Sequence, residues 1–304
     1  MSIGLSPSQR RSVPQLSAVV ELLKPITWFP PMWAFACGVV SSGVPVGDHW
    51  RQAVIGIILA GPLVCASSQA ANDWYDRHVD AINEPHRPIP SGRIPGAWGF
   101  WIACLWSGLS LAVASHLGVW VLAATVLGLI MAWAYSAPPL RLKQNGWWGN
   151  AACAFCYEGL AWFTGAAAVL GGFPDPLIVA VAMLYSLGAH GIMVLNDFKA
   201  IEGDSRMGVR SLPVQLGATT AAGVACLTMA LPQIAVYAIL MAQGALWHAL
   251  GVATVLFVQI LMMPRLLADP VRNALWYSGL GVTLYVAGMM IAAFALRALA
   301  GVAL

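Results

Sequence analysis

The chain has 304 residues, of which 60% are hydrophobic and 9% charged, with a formal net charge of +3. That balance lies outside the range of soluble globular domains and gives no basic surface for nucleic acid, so lipid is the solvent of most of the chain. All six cysteines fall in apolar segments, which excludes a disulfide framework, and the Cys153-x-x-Cys156 pair reads as packing on one helix face.

Arg10 and Arg11 are followed by no apolar core with a small-residue cleavage site. Residues 1–23 therefore read as a cytoplasmic, interfacial segment with a short helix around 16–23, and not as a removable signal. Apolar runs of about 18 to 23 residues, the length that crosses a bilayer, then recur near 27–43, 52–73, 97–115, 118–136, 149–170, 176–197, 218–241, 246–264 and 275–296. They lack strand-like alternation, and a backbone in hydrocarbon must satisfy its own hydrogen bonds. The expectation is an all-α polytopic membrane protein with nine transmembrane helices, forming a single domain over 1–304.

With the N-terminus inside, thirteen Lys and Arg residues fall in inner connections and only Arg51 and Arg297 outside. Basic residues in short loops stay on the cytoplasmic side, which sets the orientation. The inner connections after helices 2 and 6, at 77–96 and 198–217, are long and rich in charge, Pro and Gly, and are predicted to be functional. A shift of 124 lays Asn72-Asp73 on Asn196-Asp197 and Asp80 on Asp204, and a shift of 123 lays Arg87-Pro88-Ile89-Pro90 on Arg210-Ser211-Leu212-Pro213. This predicts two pseudo-repeated four-helix halves plus a ninth helix, around a central cavity open to the cytoplasmic side.

In the first motif Asp73, Asp76 and Asp80 are spaced i, i+3, i+7, and Asn72, Asp76 and Asp80 i, i+4, i+8, so either set lines one side of a helix. Three carboxylates at a helix C-terminus, where the dipole favours cations, call for a bound positive charge. Mg²⁺ suits them, because it is held by one or two carboxylates and completes its shell with water and phosphate oxygens. A solvated acidic helix end and a metal-ion transporter compete for one such motif alone. The second motif, with Asn196, Asp197 and Asp204, has Ala200 where a partner of Asp76 is expected and carries Lys199. A lysine there suits a diphosphate site better than symmetric ion ligation.

Asp76, Asp80, Asp204 and Lys199 are thus the candidate catalytic residues, and Asn72, Asp73, Asn196 and Asp197 complete the candidate metal set. Arg77, Arg87, Arg93, Arg141, Lys143, Arg206 and Arg210 lie in the inner loops, where about half are expected to contact substrate, with Arg77 and Lys199 foremost as diphosphate ligands because they sit inside the motifs. Tyr135 and Ser136 offer hydroxyls at the same depth. Glu158, in mid-helix 5, reads equally as an acceptor ligand or an interhelical pair. His190 reads as a cavity ligand or, more readily, an interhelical hydrogen bond.

These residues resemble the UbiA-type intramembrane prenyltransferases, through Asn72-Asp73-x-x-Asp76-x-x-x-Asp80 and the second motif to Asp204. Within that family, Lys24-Pro25-Ile26-Thr27-Trp28, Asn83-Glu84-Pro85-x-Arg87-Pro88-Ile89-Pro90-Ser91-Gly92, Tyr135-Ser136-x-Pro138-Pro139 and Asn196-Asp197-Phe198-Lys199 are similar to the chlorophyll and bacteriochlorophyll synthase branch. Cys156-Tyr157-Glu158-Gly159-Leu160-x-Trp162-Phe163-Thr164-Gly165 looks closer to its bacteriochlorophyll members. The resemblance implies esterification of a bacteriochlorophyllide propionate with geranylgeranyl or phytyl diphosphate. It also implies Mg²⁺ at Asn72, Asp76, Asp80 and Asp204, with Tyr135, Ser136 and Lys143 near the diphosphate.

It further implies a multi-pass protein of the bacterial inner membrane, in contact with membrane lipid and with pigment-pathway or light-harvesting assembly proteins as candidate partners. A quinone or haem prenyltransferase, an ion transporter and a pigment-binding assembly protein are the alternatives.

Overall fold

The computed structural model describes residues 13–301. Arg10 and Arg11, counted above among the inner basic residues, lie outside the described residues. The chain forms α1 (Leu16–Leu22), α2 (Phe29–Ser41), α3 (Trp50–Asn83), α4 (Trp98–Leu117), α5 (Val119–Ser136), α6 (Gly146–Leu170), α7 (Pro176–Met207), α8 (Leu212–Leu216), α9 (Ala218–Ala242), α10 (Leu246–Ala268) and α11 (Pro270–Leu299). All nine expected apolar segments are helical.

Eight of these helices, α3–α7 and α9–α11, are long and apolar enough to cross a membrane. The first expected crossing, near 27–43, is a shorter helix: α2 has 13 residues and is roughly 20 Å long, against a hydrocarbon core of about 30 Å. The turns on either side carry it from the Lys24–Asp73 contact at the motif end to the Val44–Arg297 contact at the opposite end. Along the way α2 packs tightly on α6. A Cβ on Gly38 would stand 2.0 Å from the Trp162 carbonyl, and one on Gly165 would stand 2.0 Å from the Phe35 carbonyl. Glycine at both positions lets the two backbones touch, which is how helices associate where lipid removes the hydrophobic drive. Trp162 then seals the crossing by donating its indole N–H to Ser41 Oγ at 2.9 Å.

The longest helices are the two that carry the motifs. α3 has 34 residues and α7 has 32, so each is about 50 Å long and its last turns project beyond the hydrocarbon. This explains why the first of the long connections, 77–96, begins as helix as far as Asn83. The second, 198–217, is also largely helical: a 3₁₀ turn at Phe198–Ala200, the last turns of α7, then α8. α3 contains a π-helical segment, Leu59–Cys65, around Pro62. A proline inside a helix lacks an N–H and crowds the preceding turn, and the wider π geometry accommodates it.

At the motif end, α1 lies against α3 with Ala18 and Leu22 buried and Leu16 and Val20 exposed, the two-faced pattern of an interfacial helix. Arg93 holds α1 down with two hydrogen bonds to Glu21, at 2.6 and 2.9 Å, and that contact draws the Glu21 carboxyl below its ordinary value. On the other side of the molecule, buried Gln233 and Gln259 exchange two amide hydrogen bonds of 3.2 Å each between α9 and α10.

Candidate active site

The α3 carboxylates fan out towards different cations. Asp73, almost fully buried, accepts from Lys24 Nζ at 2.6 Å and lies 3.4 Å from Arg87 Nη1. The same Arg87 nitrogen is 3.0 Å from Asp80, while its Nε pairs with Glu84. Asp76, one turn along, is clamped by Arg141 Nη2 at 3.1 Å and by Lys143. Four carboxylates (Asp73, Asp76, Asp80, Glu84) therefore face four cations (Lys24, Arg87, Arg141, Lys143), a balanced cluster. Burial pulls Lys143 below the ordinary lysine range, although Asp76 pulls the other way.

Backbone strain marks two of these cations. Lys24 (φ 47°) and Arg141 (φ 37°) are the only non-glycine residues with positive φ among the described residues. For a residue with a side chain the left-handed region is unfavourable, and it persists where the surroundings hold it. Here the two turns that adopt it each deliver a cation to a carboxylate of α3.

Asn72 donates to Ser136 Oγ at 3.2 Å and joins the inner ends of α3 and α5. Tyr135 lies beside Cys153 and within electrostatic reach of Asp197 and Asp76, one from each motif. From the second motif Asp197 turns inward and accepts from Asn150 Nδ2 at 2.9 Å. Asp204 is half-buried beside Ser211. Asn196 and Lys199 are exposed.

Other expected ligands stand apart from the cluster. Arg77 stacks over the Trp74 ring, 4.0 Å from its centroid, and donates to the Trp74 carbonyl at 2.7 Å. Arg206 pairs with Glu202 in solvent. Arg210 has an exposed side chain and contributes through its backbone, which pairs with Gln144 and Gly146 at 2.9 and 2.8 Å and straps the second connection to the 142–146 turn.

Glu158 is buried in α6, with no hydrogen-bond partner for Oε2. His190 stacks on Trp147 with centroids 5.8 Å apart, and its Nδ1 has no partner. Neither lines the main cavity. Arg141, one of the inner-loop cations, joins the site through Asp76, and Lys24, Glu84 and Asn150 complete it but were not among the expected ligands. Lys24 had a signal, since it opens the Lys24-Pro25-Ile26-Thr27-Trp28 segment.

Among the described residues no three His, Cys, Asp or Glu side chains form a metal cage. The carboxylates are engaged by basic side chains instead. The donors are nevertheless hard oxygens, and Asp73 Oδ2 is buried without a partner, so the set fits a hard divalent ion that shares its shell with a phosphate.

Beside the cluster lies a cavity between α3, α5 and α6. Asn72, which precedes Asp73, and Tyr135 line its end nearest the cluster, and the deeper walls are mostly aliphatic, down to Leu59, Ala124 and Thr164. Polar residues in a membrane interior are costly and concentrate at working sites. A charged mouth over a long apolar pocket suits an amphiphile with an anionic head and a hydrocarbon tail, which places the molecule among membrane enzymes acting on such substrates.

Residues 27–280 match the UbiA prenyltransferase family, and the chain belongs to that family. It is a prenyltransferase. It is 58% identical to the bacteriochlorophyll synthase 33 kDa chain of Cereibacter sphaeroides, over 98% of this chain and 99% of that one. It is 44% identical to the 34 kDa chain of Chloroflexus aurantiacus, over 92% and 90%. The chlorophyll synthase of Avena sativa is more distant, at 38% over 91% and 75%.

Among solved structures, the fold is shared with a digeranylgeranylglyceryl phosphate synthase (TM-score 0.71, 21% identity, covering 92% of this chain and 98% of that one). It is also shared with a UbiA homologue from Archaeoglobus fulgidus bound to GPP and Mg²⁺ (TM-score 0.65, 20% identity, 93% and 97%).

Proposed function

We propose that the chain esterifies the propionate carboxylate of bacteriochlorophyllide with a geranylgeranyl or phytyl group taken from the corresponding diphosphate. The observation that supports this reading is that Asn72, next to Asp73 in the chain, and Tyr135 line the apolar cavity beside the charge cluster. A diphosphate head would sit among the basic residues, with its tail running down between α3, α5 and α6. Similarity to bacteriochlorophyll synthases along nearly the whole chain supports the acceptor.

In this reading Lys24, Arg87, Arg141 and Lys143 turn from their carboxylates to the diphosphate oxygens. Asn72, Asp76, Asp80 and, across the cleft, Asp204 hold Mg²⁺, which when bound neutralises charge on the departing diphosphate. Tyr135 and Ser136 orient the head by hydrogen bonding. The aliphatic walls exclude water, which would otherwise capture the allylic carbon. A propionate with an ordinary carboxyl pKa of about 4 to 5 is already ionised at neutral pH, so it attacks without a general base as the carbon–oxygen bond to diphosphate breaks.

The distribution of Lys and Arg orients the N-terminus and the motif end towards the cytoplasm of a bacterial inner membrane. Incubation of the purified protein with bacteriochlorophyllide, geranylgeranyl diphosphate and Mg²⁺, followed by chromatography, should give the pigment ester and diphosphate. No ester, from folded protein with both substrates bound, would overturn the proposal.

A further inference from the structure

We infer that Gly128 is a specificity-determining residue that sets how long a prenyl tail the cavity accepts. The inference rests on the donor-site reading above and adds to it the residue that measures the tail. Three side-chain positions on three walls converge at one level: Val64 of α3, Gly128 of α5 and Leu160 of α6 all line the cavity. A Cβ on Gly128 would stand 3.3 Å from Leu160 Cδ2 and 4.0 Å from Val64 Cγ1. The first distance is already tighter than ordinary van der Waals contact, so Gly128 and Leu160 nearly meet at this level: a tail passes only when the flexible end of Leu160 turns aside, and any side chain at residue 128 would close the gap that this movement opens.

The depth of this waist follows from helix geometry. From Asn72 to Val64, and from Tyr135 to Gly128, the helical rise amounts to about 11 Å. Carbon–carbon bonds of about 1.5 Å, four per isoprene unit in a zigzag, make each unit roughly 5 Å long. About two units therefore fit between the charged mouth and the waist. Below it a second chamber continues for about 6 Å more, walled by small side chains at Ala60, Ala124, Thr125, Ala161 and Thr164. The distal isoprene units of a diterpenyl tail have to pass Gly128 to reach it, whereas a geranyl tail does not.

Binding of geranyl and geranylgeranyl diphosphate to the full-length protein in detergent with Mg²⁺, without acceptor, tests this independently of pigment chemistry. Gly128→Leu should weaken geranylgeranyl diphosphate by at least about tenfold, since every methylene kept out of the lower chamber loses its burial. Geranyl diphosphate should bind within about twofold of wild type. Ala124→Phe, which fills the lower chamber without touching the waist, should give the same selective loss and covers the case in which Gly128→Leu does not fold. Adding Leu160→Ala to Gly128→Val should restore the long tail.

Unchanged selectivity in folded Gly128→Leu or Ala124→Phe, or an equal loss of both diphosphates, would overturn the inference while leaving the donor site standing. Wild-type protein that binds neither diphosphate would overturn the donor site itself, and this inference with it.

Discussion

Lys24 and Asp73, 49 residues apart, are joined by a 2.6 Å ion pair in which the carboxylate is almost fully buried and the lysine backbone is held at positive φ. The pair links the turn after α1 to the first carboxylate of the motif helix. Asp73 also has an oxygen with no partner, and in the donor complex Lys24 turns from this carboxylate to the diphosphate. Lys24→Met should therefore weaken donor diphosphate binding by about tenfold or more, in line with the roughly 1.5 to 3 kcal/mol of a hydrogen bond to a charged group. A binding isotherm on the folded variant checks it, and an unchanged affinity would remove Lys24 from the site.

Charge balance makes donor binding dependent on a divalent ion. With four carboxylates already matched by four cations, a diphosphate entering alone brings uncompensated negative charge into a partly desolvated site. Chelation of divalent ions should weaken geranylgeranyl diphosphate by more than about tenfold, and Mg²⁺ should restore it. Asp76→Asn removes one carboxylate and leaves Arg141 and Lys143 free to meet phosphate. It should bind donor less metal-dependently while losing turnover. Donor affinity unaltered by chelation would contradict the balance.

The helices were legible because hydrocarbon forces long apolar runs into helix. The exception is α2, whose 13 residues pack on α6 through Gly38 and Gly165, a close contact that a hydropathy window does not register. The acidic face of α3 was legible from its spacing. Arg77, one residue past Asp76, is turned by about a quarter of a helical turn and meets Trp74 instead of the cluster. Arg141 was legible only as one of several basic residues of the inner loops, and Lys24 only through its segment. Which carboxylate each reaches depends on a left-handed backbone that neither residue prefers, so no local pattern announces the pairing.

Lys143 gives the site an alkaline limit. Burial lowers its pKa, and Asp76 opposes that shift without cancelling it. The lysine is charged below its pKa, so raising the pH through that point removes one cation from the diphosphate site. Donor binding should fall there, below the ordinary lysine value of about 10.4. Lys143→Arg keeps its charge throughout and should push the limb to higher pH, at some cost in affinity because the fork geometry differs. A pH profile of kcat/KM for the donor compares the two, and coincident alkaline limbs would assign that limit to another group.

The α2–α6 crossing should be the least tolerant packing in the protein. Any side chain at Gly165 meets the Phe35 carbonyl at 2.0 Å, and the three nearest atoms all belong to the Phe35 backbone, which cannot rotate away. Gly165→Val must therefore separate the helices and loosen the Trp162–Ser41 hydrogen bond above them. Overpacking costs about 1 to 3 kcal/mol in ordinary cores, and the upper end applies where backbone has to move. Gly108 is the control, since a Cβ there meets nothing within 4 Å, and Gly108→Ala removes a flexible residue from the interior of α4. Thermal unfolding in detergent should show a clear fall for Gly165→Val and none for Gly108→Ala. Equal stability of the two variants would mean that α2 is not anchored through this crossing.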